Sequence, residues 1–189
     1  NKNYSPLVVD RRRSYTLQNI GGENVPVVIS DRSKRNYTFN PHFLPDYIYV
    51  GDNYTETTPR SIPSIVNLKS WKGEKNAYPL FDSSNYQEIN NCSASIKFRK
   101  LEYKDLNESL ILILQSDHSI VILLSTNHIN PVGEFRAFVH TLMNNNCPAP
   151  VILNMQYTEN SAEDLQLKAA VDLGSLLLDG FGDGILLQN

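Results

Sequence analysis

From Ala94 onward the alternation of apolar and polar positions is regular. Ser95 to Leu101 alternates, with Ile96, Phe98 and Leu101 apolar among Lys97, Arg99 and Lys100, and this predicts a strand. Tyr103 to Gln115 reads as a helix. Ile120 to Ser125 is almost unbroken apolar sequence, the pattern of a parallel strand covered on both faces. Gly133 to Asn146 reads as a helix with Phe135, Phe138, Val139, Leu142 and Met143 on its apolar face. Val151 to Met155 is the next strand. Ser161 then suits a helix N-cap, Glu163 and Asp164 suit its first turn, and Leu165, Ala169, Ala170 and Leu173 share one face. Gly174 is placed to end that helix. Ser175 to Leu178 follows as a buried strand, Gly180, Gly182 and Gly184 as a turn, and Ile185 to Leu187 as a last strand.

The first half is less regular. Val25 to Ser30 is a β-branched run after Gly21-Gly22, hence a first strand. Tyr37 to Pro45 reads as loop, and Tyr47 to Val50 as a strand closed by Gly51. Residues 52–91 are irregular, punctuated by Pro59, Pro63 and Pro79, with short apolar pieces such as Ile65-Val66. The alternation of strand and helix in the second half argues an α/β fold with a parallel sheet and helical crossovers. We expect a TIM-barrel-like domain, incomplete or degenerate, because 189 residues fall short of the roughly 250 of a full barrel.

Composition narrows the function classes. A hydrophobic fraction of 41% and a formal charge of −3 suit one soluble domain, residues 1–189. A pI near 5.8 leaves no electrostatic footprint for nucleic acid. Arg11, Arg12 and Arg13 form only a local basic run, which we read as a solvated entry to the first strand rather than an anion site. No stretch approaches the roughly 20 apolar residues of a membrane span. Cys92 and Cys147 stand apart without a C-x-x-C partner, so neither a metal site nor a disulfide framework is expected, and a reduced, cytoplasmic setting fits. The acceptor pattern N-x-S/T occurs at Asn3, Asn36, Asn53, Asn91 and Asn107, in a chain rich enough in Asn to produce several by composition. The chain opens without Met and stops after an apolar strand, so we expect a fragment of a longer protein.

In a barrel, functional groups collect at the C-terminal ends of strands. The candidates there are Asp31 and Arg32, Asn127 and His128, Asn154 and Gln156, Asp179, and Asp183. His128 is the acid/base candidate; His42, His118 and His140 are isolated. The glycines at 180, 182 and 184 could offer amides to a phosphate, and Asp179 with Asp183 could hold a hard cation. No Lys or Arg is near in sequence, however, and we read the segment as a structural turn whose aspartates accept backbone hydrogen bonds. Glu134 and Arg136 open a helix, where we read them as holding the strand-end loop.

Two blocks carry a family resemblance. Arg11 to Arg32 includes L-Q-N-I-G-G-E-N-V-P-V-V-I-S-D-R. Ile120 to Leu187 includes N-H-x-x-x-x-G-E-x-R and D-L-Q-L-K-A-A-x-D-L-G-x-L-L-x-D-G-F-G-D-G-I. Both resemble the extra domain of long-form hydroxymethylbutenyl diphosphate synthase, an enzyme of the non-mevalonate isoprenoid pathway. The resemblance implies a degenerate second barrel between a catalytic barrel and an iron–sulfur domain. The parent enzyme would reduce methylerythritol cyclodiphosphate with electrons from ferredoxin or flavodoxin through a 4Fe-4S cluster, as a homodimer, in the bacterial cytoplasm rather than a plastid. Neither cysteine matches the cluster motif, so no ligand and no cofactor are carried over to this chain. The leading expectation is a non-catalytic spacer whose partners are the other domains of the same chain. Two alternatives stay open: a small enzyme or binding domain for a phosphorylated metabolite using Asp179, Asp183 and His128, and a secreted glycoprotein interaction module.

Overall fold

The computed structural model describes residues 12–34 and 38–189. Its strands are β1 (Val27–Asp31), β2 (Tyr47–Gly51), β3 (Ser64–Asn67), β4 (Ala77–Phe81), β5 (Lys97–Leu101), β6 (Ile120–Ser125), β7 (Val151–Gln156) and β8 (Gly184–Gln188). They form a closed, all-parallel barrel in chain order, sealed where Val28 on β1 pairs with Ile185 on β8. The α-helices α1 (Glu108–Ser116), α2 (Pro131–Asn144) and α3 (Ala162–Leu178) follow β5, β6 and β7. Among the described residues the crossovers from β1 to β5 carry only loops and short 3-10 turns. The expected TIM-barrel-like fold is thus present. It is complete in its strands and incomplete in its helices, which is how it closes with so short a chain.

Side chains alternate across each strand, so one set fills the barrel. Val27, Ile29, Tyr47, Ile65, Tyr78, Leu80, Phe98, Val121, Leu123, Ile152 and Leu186 form one buried cluster to which every strand contributes. The opposite set on β6 and β7 (Ile120, Ile122, Leu124, Val151, Leu153 and Met155) packs under the helices with Phe135, Phe138, Leu142, Leu173 and Leu176. On β2 to β4, where helices are missing, loop residues take their place. Phe39, Tyr54 and Trp71 pack on Ile48, Val50, Val66 and Ala77.

The N-terminal end of the barrel is plugged. Leu17 and Ile20 exchange backbone hydrogen bonds across a tight turn, and Ile20 enters the interior cluster with no exposure. Tyr47 donates to Asn19 Oδ1 at 2.7 Å, and Gln18 bonds the Tyr78 hydroxyl at 2.8 Å. Gly21 has φ +75, and a Cβ there would lie 2.4 Å from the Tyr15 carbonyl oxygen. The L-Q-N-I-G-G run is therefore a floor for the barrel.

Four readings are corrected. Ser175 to Leu178 is no strand: α3 runs unbroken through Gly174 to Leu178, because Ala169, Leu173 and Leu176 keep facing the core at helical spacing. The left-handed residue past its end is Gly180, φ +74. Tyr103 to Gln115 is not one helix: a 3-10 turn at Tyr103–Asp105 gives way to extended Leu106, and Asn107 caps α1 anew through the Leu110 amide. Residues 52–91 hold β3 and also β4, whose Pro79 is tolerated where pairing to β5 begins only at Leu80. The predicted helix from Gly133 begins earlier, at Pro131, behind the Asn130 cap. Arg11 and the loop residue Tyr37 lie outside the described residues.

Two glycine substitutions should move stability in opposite directions. Gly21→Ala should cost about 1–3 kcal/mol, from a left-handed backbone with no space for a methyl group. Gly174→Ala, in mid-helix with nothing within 4 Å, should stabilise by about 0.5–1 kcal/mol. Urea denaturation of both variants reads the two signs directly.

Candidate functional site

Extending the alternation to the C-terminal ends of the strands gives a polar layer over the apolar interior. Three of its contacts link neighbouring strands. Gln188 on β8 donates to Asp31 Oδ2 on β1 at 3.0 Å. The Tyr49 hydroxyl on β2 donates to Asn67 Oδ1 on β3 at 3.0 Å. Asn154 Nδ2 on β7 donates to Ser125 Oγ on β6 at 2.9 Å. Burial, with Asp31 nearby, raises the pKa of Tyr49, so its hydroxyl stays protonated and donating. Asn154 Oδ1 is buried without a partner among the described residues, leaving one acceptor free at this mouth. Sequence reading found Asp31 and Asn154 but missed Tyr49, Asn67, Ser125 and Gln188. The signal was there: each is a polar residue, or a Tyr, at the interior position where an apolar strand ends.

His128 follows β6 on this same face, and it is exposed. Its Nδ1 accepts from the Asn130 amide at 3.0 Å, and its own amide donates to Thr126 Oγ1 at 2.9 Å. The Thr126 hydroxyl in turn donates to Glu134. Glu134 therefore holds the strand-end loop, as the sequence suggested. Arg136 does something else: it forms an ion pair with Asp179, and its guanidinium lies 5.6 Å from the Phe181 ring centroid. Arg32 stacks over the Phe39 ring at 4.5 Å, and Gln156 is exposed.

Asp179 and Asp183 are not at the C-terminal ends of strands. Because residues 175–178 are helical, the glycine turn leads into β8 and lies at the opposite, N-terminal end of the barrel. There Asp183 joins three segments. Its backbone accepts from Val27 at 3.0 Å and donates to the Val151 carbonyl at 2.6 Å. Its carboxylate accepts from the Val151 amide at 2.8 Å and from the Ser14 hydroxyl at 2.6 Å. Arg12 lies 3.5 Å from the same carboxylate and also donates to the carbonyls of Cys147 and Ala149. The Arg12 side chain is 5% exposed; burial lowers its pKa, and Asp183 opposes that shift. The cation missing from the local sequence thus comes from the far end of the chain.

The two cysteines do not suit an iron–sulfur cluster. Cys147 is buried in the helical-side cluster beside Arg12, and burial pushes its thiol pKa up. Cys92 is half-buried at the end of a 3-10 turn before β5. Among the described residues no group of three or more His, Cys, Asp or Glu side chains is arranged to hold a metal ion. No helix among them is long and apolar enough to cross a membrane.

Asp183→Asn leaves the buried Arg12 charge without its counter-ion, and Arg12→Met leaves Asp183 without its cation. Each should cost about 3–5 kcal/mol, the range for breaking a buried pair from one side. The double variant should cost clearly less than the sum, which a chemical-denaturation cycle on the four proteins measures.

No protein-family model and no solved structure matches the chain. Curated proteins do. It is 42% identical over 186 residues to the 4-hydroxy-3-methylbut-2-en-1-yl diphosphate synthase (flavodoxin) of Parabacteroides distasonis, covering 98% of this chain and 30% of the relative. It is 41% identical over 187 residues to the same-named protein of Phocaeicola vulgatus, with the same coverage. The match to that of Bacteroides thetaiotaomicron is 39% over 186 residues. The chain spans about 30% of the length of these relatives. Over nearly its whole length it is therefore similar to one domain-sized segment of the 4-hydroxy-3-methylbut-2-en-1-yl diphosphate synthases.

Proposed function

We propose that this chain is a non-catalytic spacer barrel of a longer isoprenoid-pathway oxidoreductase, set between a catalytic barrel and a cluster-bearing domain. The longer protein would make hydroxymethylbutenyl diphosphate through a 4Fe-4S cluster held elsewhere, with flavodoxin, the donor in its relatives' names, supplying electrons. One observation carries the spacer reading. The residues most suited to chemistry do not meet: His128 stands past the end of β6, while Asp179 and Asp183 lie before the start of β8, at opposite ends of parallel strands. An independent enzyme using all three on one phosphorylated substrate lacks a shared site.

A second feature fits a domain packed among others. Leu167, Val171 and Leu178, spaced along one face of α3, are 67%, 66% and 87% exposed. Such a stripe is what an interdomain contact would cover. A spacer contributes by fixing distance and orientation, so that a cluster on one domain meets a substrate on another without a search. The glycoprotein reading has less support. Asn107 serves as the α1 cap and Asn53 donates to the Ser33 carbonyl, while Asn3 and Asn36 lie outside the described residues.

A strain whose own synthase can be switched off tests the proposal. The longer protein would be supplied with residues 11–188 replaced by a flexible linker, with His128→Ala, with Asp179→Asn, or with Leu167→Glu and Val171→Glu together. The linker version should fail and both chemical variants should grow. The α3 pair should lower specific activity severalfold while the barrel stays folded. Growth of the linker version, or failure of a folded His128→Ala protein, would contradict the spacer reading.

A further inference from the structure

Outside the barrel, at the C-terminal ends of β4 and β5, a cavity of about 380 Å³ lies between β5 and α1. Arg99, Lys100 and Lys104 line one side of it, and Leu110 and Ile113 line another. Arg99 is 6% exposed, yet its Nη1 has no hydrogen-bond partner among the described residues. Its guanidinium lies 5.1 Å from the Tyr86 ring centroid. Two carboxylates also face the cavity, and both are engaged. Asp82 accepts from the amide and hydroxyl of Ser84 at 2.8 and 2.5 Å. Asp105 accepts from the Glu102 amide at 2.7 Å. Lys104 pairs with Glu102 at 2.6 Å on the rim.

A buried guanidinium with an unused donor is costly, and proteins retain one where something else completes it. We propose that this cavity binds a small phosphorylated metabolite, with its phosphoryl oxygens on Arg99 beside Lys104 and its body against Leu110 and Ile113. The Nη1 of Arg99, unpartnered among the described residues and on a side chain that is itself buried, favours an anion. A planar guanidinium beside ammonium groups suits an oxyanion with several acceptors. The volume is at the lower end of the range for ligand clefts, and it exceeds what a bare ion needs. The position is on the face where barrels of this type keep their sites, but displaced from the barrel axis to the outer side of β5. This inference is independent of the spacer reading, since a spacer can carry a ligand site without performing chemistry.

The test is titration of the chain with inorganic phosphate, and separately with acetate, at constant ionic strength, followed by amide NMR shifts. Phosphate should produce saturable shifts at Lys100, Leu101, Lys104 and Asn107. Arg99→Met, which removes the charge and keeps much of the volume, should weaken that response at least about tenfold, the scale of losing one charge-assisted contact. Its denaturation midpoint without phosphate should equal or exceed that of the unmodified chain, because a buried donor without a hydrogen-bond partner among the described residues has left the interior. If that variant does not fold, Lys104→Met, at an exposed position, should still weaken phosphate severalfold. The proposal is overturned if phosphate gives no saturable shift, if the Arg99 variant responds undiminished, or if acetate alone saturates.

Discussion

A single ion pair at the N-terminal end of the barrel, Arg12 with Asp183, sits where the closure of the whole fold is decided. A parallel barrel has one seam that local sequence cannot close, the pairing of its last strand with its first. Asp183 immediately precedes β8, and through backbone and carboxylate together it reaches Val27 on β1 and Val151 on β7. Arg12 neutralises the carboxylate and holds the carbonyls of Cys147 and Ala149 ahead of β7. The segment carrying Arg12 continues into the Leu17–Ile20 turn that plugs the floor. The charge pair, the seam and the plug are therefore parts of one construction.

The barrel is asymmetric around that seam. From β5 to β8 each crossover supplies a helix, and the outer faces of the strands are buried beneath it. From β2 to β4 aromatic loop residues cover the strands instead, and Val28 on the outer face of β1 remains 47% exposed. At the C-terminal mouth, polar side chains bond to one another across neighbouring strands, and Asn154 Oδ1 is left as a free acceptor among the described residues.

Much of the fold was legible in the sequence, and the parts that were not have physical reasons. β1, β2, β5, β6 and β7 were readable because β-branched or alternating runs stood between clear breaks. β4 was hidden by Pro79, which usually argues against an interior strand. The C-terminal part of α3 passed for a strand because Leu176-Leu177-Leu178 is apolar on every side, and periodicity cannot separate a short buried strand from a helix carrying an exposed apolar stripe. That one error moved Asp179 and Asp183 to the wrong end of the barrel. Reading their segment as a structural turn fits Asp183, whose carboxylate accepts from the Val151 amide, whereas the Asp179 carboxylate pairs with the Arg136 side chain instead. Arg12 could not be assigned to Asp183, because nothing in sequence joins residues so far apart. The mouth residues were readable as polar positions ending apolar strands, but which of them pair was out of reach, since each pairing depends on the register of two strands.

The central claim is that the D-G-F-G-D segment clamps the barrel floor and seam. Native-state amide hydrogen exchange on the chain tests it most directly. The amides of Val27, Val151 and Asp183 all donate within the clamp. They should exchange only through global unfolding, with the same free energy and denaturant dependence as the amide of Ile122 in the helix-covered half. If these three exchange rapidly by local opening while Ile122 stays protected, the seam closes without the clamp and the account is wrong.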